Sequence, residues 1–233
     1  MTRVLTFAIA LSAVHALVGP AVADVIVNDN GTSAGVNALN ISSFATADDF
    51  TLAAPATISR IRFWASGLGT DMTSGGFSGT VGWAFHGNNA GAPGAVLYSG
   101  SDNSVSLTPD GTVVGFPQYY LDVDVPSVAL GSGTYWLQLR EGAIGSAYDG
   151  SDIFWSTSVN QQGAGALLDT DPQNPTTWSI PGSEDTAFQI YGPANAAAVV
   201  PEPSSFALFG LVMACGIGCY FYRRRILTPI AVE

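Results

Sequence analysis

The chain predicts an all-β fold, an antiparallel β-sandwich of jelly-roll type, on three observations. Apolar residues recur at period two in short segments, those segments are separated by clusters of Gly, Pro, Asn and Asp, and no stretch before the last 33 residues keeps a helical period. Eight to ten short strands with turn signals between them are the economical solution.

Taken in order, Met1-Thr2-Arg3, an apolar stretch from Val4 to Val18, a Gly19-Pro20 break and Ala21-Val22-Ala23 have the layout of a Sec signal peptide over residues 1–23. The small residues Ala21 and Ala23 place the cut before Asp24. Strands are expected at Val25 to Asn28, Ala47 to Leu52 and Ile58 to Ala65. In the last of these, Ile61, Phe63 and Ala65 share one face, and Arg60, Arg62 and Trp64 share the other. Val81, Trp83 and Phe85 define the next strand, opposite Gly82, Ala84 and His86. Val96 to Ser99, Thr112 to Phe116, Tyr119 to Val125, Thr134 to Arg140, Ile153 to Ser156 and Ala187 to Tyr191 follow the same logic. Gly87-Asn88-Asn89, Pro109-Asp110-Gly111 and Gly131-Ser132-Gly133 carry hairpin-turn chemistry, since glycine and asparagine accept positive φ. The ectodomain thus runs over 24–192, and an alanine-rich linker over 193–200 ends it.

Between Asp24 and Val200, three arginines (Arg60, Arg62, Arg140) face sixteen carboxylates, a net charge of −13, and the chain has no lysine. Such a surface repels phosphate backbones, which excludes nucleic acid as a partner. Charged residues are 11% of the chain and aromatics another 11%, too apolar a balance for a disordered acidic tail. Both cysteines, Cys215 and Cys219, lie in the final apolar run, where they read as small filler. The exported domain therefore stands on packing rather than crosslinks.

Residues 201–233 begin Pro201-Glu202-Pro203-Ser204-Ser205, continue as an uncharged apolar run from Phe206 to Tyr222, and reach Arg223-Arg224-Arg225. A helix over 206–222 spans roughly 26 Å, slightly short of a bilayer core. Snorkelling arginines, with Tyr220 and Tyr222 in the aromatic belt, make up the deficit. The arginines hold the C-terminus inside and leave everything before Pro201 outside. Two prolines keep the strip at the membrane surface extended, which suits a membrane protease.

In order and in kind, these residues resemble the PEP-CTERM sorting signal that exosortases recognise in exopolysaccharide-producing bacteria. The resemblance implies exosortase as a partner, inner-membrane anchoring before processing, cleavage near Pro201-Glu202-Pro203, and then a cell-surface or extracellular destination. Ile226 to Glu233 extend past the point where most such tags stop. The tail is also the one named after certain ice-binding proteins, an activity the tag does not carry. Ala47-Asp48-Asp49-Phe50, Phe63-Trp64, Gly91-Ala92-Pro93-Gly94, Gly133-Thr134-Tyr135-Trp136-Leu137 and Ala187-Phe188-Gln189-Ile190-Tyr191-Gly192 together resemble a class of secreted bacterial β-sandwich domains. That likeness implies fold more than activity.

No catalytic set is legible. His86 is the ectodomain's one histidine, with neither a cysteine nor a Gly-x-Ser-x-Gly elbow to serve, and it reads as a strand cap beside the following turn. A glycoside hydrolase needs two carboxylates across a bond, and Glu141 and Glu184 are the ectodomain's glutamates. One histidine and no thiol disfavour zinc; structural calcium is the cofactor that acidic pairs allow, with Asp122 and Asp124 on one strand face as the leading pair and a solvated face as the plain alternative. Trp64, Trp136 and Trp178 are the tryptophans expected at the surface, where they would contact exopolysaccharide or another glycan. A non-catalytic structural or adhesive role is the primary expectation, with a glycan-binding module and a secreted glycoside hydrolase as alternatives.

Overall fold

The computed structural model describes residues 24–67, 72–147, 152–161, 163–173, 175–179 and 184–194. The chain divides into two compact units, Met1–Ala194 and Asn195–Glu233, and every described residue lies in the first. The signal peptide, the linker beyond Ala194, the apolar helix with its cysteines, the Pro-Glu-Pro strip and the arginine cluster lie outside the described residues.

Among the described residues, twelve strands form two antiparallel sheets. Sheet A contains β1 (Asp24–Asp29), β2 (Ser33–Asn40), β4 (Ala56–Ser66), β7 (Leu107–Val113), β8 (Phe116–Leu130), β10 (Phe154–Ser158) and β12 (Phe188–Pro193). Sheet B runs β11 (Leu167–Asp169), β3 (Ala45–Leu52), β9 (Gly133–Glu141), β5 (Val81–Asn88), β6 (Pro93–Asp102). A π-helical turn covers Met72–Gly76. The antiparallel two-sheet architecture is the one the alternation predicts. Its connectivity is more hairpin-rich than the jelly-roll expectation: β5–β6 and β7–β8 each stay within one sheet.

β4 organises sheet A. One edge pairs with β8 along most of its length, and the other pairs first with β12 (Ile61↔Ile190) and then with β10 (Ala65↔Trp155). The expected face holds, since Ile61, Phe63 and Ala65 are fully buried and meet Leu121, Val123, Phe188 and Ile190 from the neighbouring strands. From sheet B, Phe50, Trp83, Phe85, Leu137 and Leu139 complete the core. Edge-to-face ring pairs, Phe63 with Trp155 at 6.3 Å and Phe50 with Phe188 at 6.3 Å, join elements distant in sequence. Gly100 sits opposite Trp83 because a Cβ there would lie 2.6 Å from the indole.

The two sheets differ in what covers them. The outer face of sheet A is partly open around Arg60, Arg62, Tyr120 and Asp122, whereas the outer face of sheet B lies beneath a third layer of loops. Gly82 packs directly under Gly142 and Ile144, and Trp178 stands edge-on over His86 at 5.9 Å. Trp136, Gln138 and Arg140 point outward from β9 yet are buried by that layer.

Several turn expectations are corrected. The β5–β6 turn falls at Asn89–Ala92, slightly later than expected, with Ala90 and Gly91 at positive φ. Pro109-Asp110-Gly111 is a bulge inside β7, because Gly111 at φ 80° absorbs an extra residue without reversing the chain. The reversal is at Val114-Gly115, so Thr112 to Phe116 spans a hairpin and not one strand. Gly131-Ser132 carries the chain from sheet A to sheet B and is no hairpin. β12 continues through Pro193, taking the first residue of the expected linker. β2 and β11 were not expected from the sequence: β2 carries Ala, Gly, Asn and Ser in place of a clear alternation, and β11 is three residues long.

Candidate functional surface

The open face of sheet A is built by strand alternation. Inward Ile61, Phe63, Leu121, Val123, Phe188 and Ile190 force Arg60, Arg62 and Trp64 of β4, Tyr120, Asp122 and Asp124 of β8, and Gln189 and Tyr191 of β12 outward. Register then sets the pairs. Arg62 lies directly opposite Asp122 and donates to both carboxylate oxygens, Nε to Oδ1 at 2.8 Å and Nη2 to Oδ2 at 2.7 Å. This bond to Asp122 raises the Arg62 pKa above its ordinary value. The Arg62 guanidinium stacks 4.2 Å from the centre of the Tyr120 ring, and Arg60 stacks 4.2 Å from that of Tyr191. Arg60 also lies 3.5 Å from Asp24 and 3.6 Å from Asp122. A ladder of two cations, two rings and two carboxylates thus crosses four strands, and it holds the two arginines of the described residues that are not fully buried.

The sequence-level candidates fall in different places. Trp64 is on this face but buried, its indole N–H donating to Asp110 at 2.5 Å from the β7 bulge. Trp136 is fully buried and donates to Asn88 at 3.1 Å. The exposure expected for both is overturned by what covers them: the bulge in one case, the third layer in the other. Trp178 is half-buried against Ala47, Trp136 and Leu167. His86 is no strand cap; it lies buried in β5, with Nδ1 3.0 Å from the Gly94 carbonyl and Nε2 2.8 Å from Gln138. A ring N–H donates to Gly94, which leaves Nε2 to accept when the Gln138 amide turns its NH2 inward.

Asp122 and Asp124 share a face as expected, yet Asp122 commits both oxygens to Arg62. Among the described residues, no group of three or more His, Cys, Asp or Glu is arranged to hold a metal ion. Glu141 is buried, accepting from the Ser42 hydroxyl at 2.6 Å and the Ser78 amide at 3.0 Å, and so anchors two loops. Glu184 accepts from the Asn37 side chain. A cleft of about 120 Å³ lined by Asn28, Asn30, Asp49, Phe50, Thr51 and Gly163 is well below the size of an ordinary small-molecule site.

Reasoning from sequence missed the ladder and one buried carboxylate. Two arginines at i and i+2 in one strand, and Tyr120 with Asp122 in another, were visible; the register that superimposes them was not. Asp48 lies on the core face of β3, fully buried, where alternation calls for an apolar residue. It accepts from the Thr186 amide at 2.6 Å, the Thr186 hydroxyl at 2.7 Å, the Asn30 side chain at 3.1 Å and the Asp49 amide at 2.9 Å. Burial pushes its pKa well above the ordinary 3.8, with Asp185 and Asp49 adding to the rise and the Thr186 bonds opposing it. Burial likewise raises Asp49 against the Ala164 amide. Asp102 goes the other way, because the Asp124 and Ser104 donors outweigh its burial.

For Asp48 and Asp49 the folded chain holds the proton more tightly than the unfolded chain. Their contribution is fully present below the ordinary carboxylate pKa and is lost as pH rises through the elevated folded value. In that window stability falls by up to about 1.4 kcal/mol per pH unit per group. Asp48→Asn keeps an acceptor for Thr186 and removes the titration, so its unfolding free energy followed as pH rises above the ordinary carboxylate pKa should lose this downward component. A variant whose curve parallels the parent would contradict the assignment.

Two comparisons with known proteins complete the site. Among curated proteins none matches the chain. Residues 199–225 match the PEP-CTERM protein-sorting motif, and that motif marks the chain as an exported, surface-targeted protein with exosortase as its sorting partner.

Proposed function

We propose that this protein is a non-catalytic component of the cell surface or extracellular matrix, delivered by a Sec signal and held by its apolar C-terminal helix until exosortase cuts near Pro201-Glu202-Pro203. The single observation behind this reading is the sorting motif at 199–225, which includes the arginine cluster and follows an acidic β-sandwich. Ile226 to Glu233 would be discarded with the helix. Mass spectrometry of the mature protein from its producing cells tests it. The expected product starts at Asp24 and ends within a few residues of Pro203. Surface material that retains Glu233 would count against it.

A second reading, recognition of an acidic exopolysaccharide, is favoured by one feature. In a domain of net charge −13, the half-buried guanidinium groups of Arg60 and Arg62 stand together on the outer face of sheet A, backed by Tyr120 and Tyr191. Binding to a glycan array that falls tenfold or more in Arg62→Ala, and is retained in Trp178→Ala, supports that face. Loss in Trp178→Ala alone would move the site to the third layer.

A further inference from the structure

The cleft between β1 and β3 holds more oxygen than its own donors satisfy. Its volume is about 120 Å³, and its polar lining is Asn28, Asn30, Asp49 and Thr51. Asp49 is buried, with 8% exposure. Its Oδ1 accepts from the Ala164 amide at 2.7 Å, while its Oδ2 meets no donor among the described residues. Oδ1 of Asn28 is likewise without a donor. The third layer closes on the carboxylate from the other side, at a place where only glycine fits: a Cβ on Gly163 would overlap both Asp49 oxygens, and Gly163 lies at φ 79°.

Among the described residues, no ion pair involves Asp49. The chain has no lysine. Arg60 and Arg62 are held by Asp24 and Asp122 on the outer face of sheet A, and Arg140 donates to the Ser146 carbonyl. The neighbouring carboxyl, Asp48, has Asp49 and Asp185 as the charged groups that act on it, so like charges gather at this end of the sandwich. In a domain of net charge −13, such a place concentrates cations. A buried carboxylate oxygen that nothing meets is costly, and an ion removes the cost.

We propose that this cleft is a calcium site. Asp49 Oδ2 and Asn28 Oδ1 supply the protein's oxygens, water completes the shell, and the ion pins the third layer to β3 beside the Ala164 bond. Donor chemistry selects the ion. Hard oxygens with neither imidazole nor thiolate do not suit zinc, and magnesium demands a near-ideal octahedron that two side chains on separate strands do not impose. Calcium accepts an irregular, partly aqueous shell. One carboxylate makes the site weak, in the range of about 10⁻⁴ to 10⁻³ M found for extracellular calcium modules. The pair on β8 is a poorer host, because Asp122 spends both oxygens on Arg62.

The full chain, freed of divalent ions with a chelator and kept in detergent, is heated while its tryptophan fluorescence is followed. Calcium at about 10 mM should raise the unfolding midpoint by about 3–10 °C, and magnesium at the same concentration by less than a third of that. Calorimetric titration should show saturable calcium binding, weakened at least tenfold in Asp49→Asn. Because Asp49 also anchors Ala164, Asn28→Val is the second variant: it removes one oxygen, leaves the loop bond in place, and should weaken binding at least threefold. Asp124→Asn should bind as the parent does. Equal midpoint shifts with calcium and magnesium, as screening of the −13 charge alone would give, would overturn the proposal. So would calcium binding undiminished in either Asp49→Asn or Asn28→Val, or binding lost in Asp124→Asn, which would move the ion to β8.

Discussion

One buried carboxylate ties the two sheets together at the end where the chain finishes its fold. Asp48 projects from β3 of sheet B into the core and gathers donors from Asn30, just past β1, and from Thr186, just before β12. Leaving that carboxyl without partners would cost several kcal/mol. Its four donors offset part of the cost of burial, and the remainder is what holds its pKa above the ordinary value. The first and last strands of the described residues, which pair Asp24 with Pro193, are thereby fixed to the opposite sheet with no disulfide. An ectodomain without cysteine relies on this contact and on the aromatic core around Phe50, Phe63, Trp155 and Phe188.

The covering of sheet B follows from the same economy. Its outward residues, Trp136, Gln138, Arg140 and Asp49, are large or polar, and the loops between β9 and β12 fold over them and supply partners: the Ser146 carbonyl for Arg140 and the Ala164 amide for Asp49. Sheet A is then the face left open, and its arginine–tyrosine ladder is held rigid by register and stacking. Any ligand recognised by the flat of the sandwich meets guanidinium groups rather than tryptophan rings.

The sequence predicted the strands whose inner faces alternate cleanly, such as β4, β5 and β9, because two-fold periodicity depends on local residues alone. It misplaced features decided by distant ones. Pro109-Asp110-Gly111 has every mark of a turn, but pairing with β8 continues through it, and the chain reverses at Val114-Gly115. Trp64 and Trp136 were placed on the polar side of their strands correctly, yet their burial depends on loops that no local pattern reveals. The Arg62–Asp122 pair bridges 60 positions and exists only once β4 and β8 are in register. The sorting motif, by contrast, is read linearly and was complete in the sequence.

The role of Asp48 is tested most directly by native-state hydrogen exchange at the Thr186 amide, which donates to it. If the carboxylate holds the sheets together, that amide exchanges only through global unfolding, with the same opening free energy as Leu137 in the middle of β9. Exchange through a local opening, orders of magnitude faster than at Leu137, would contradict the account.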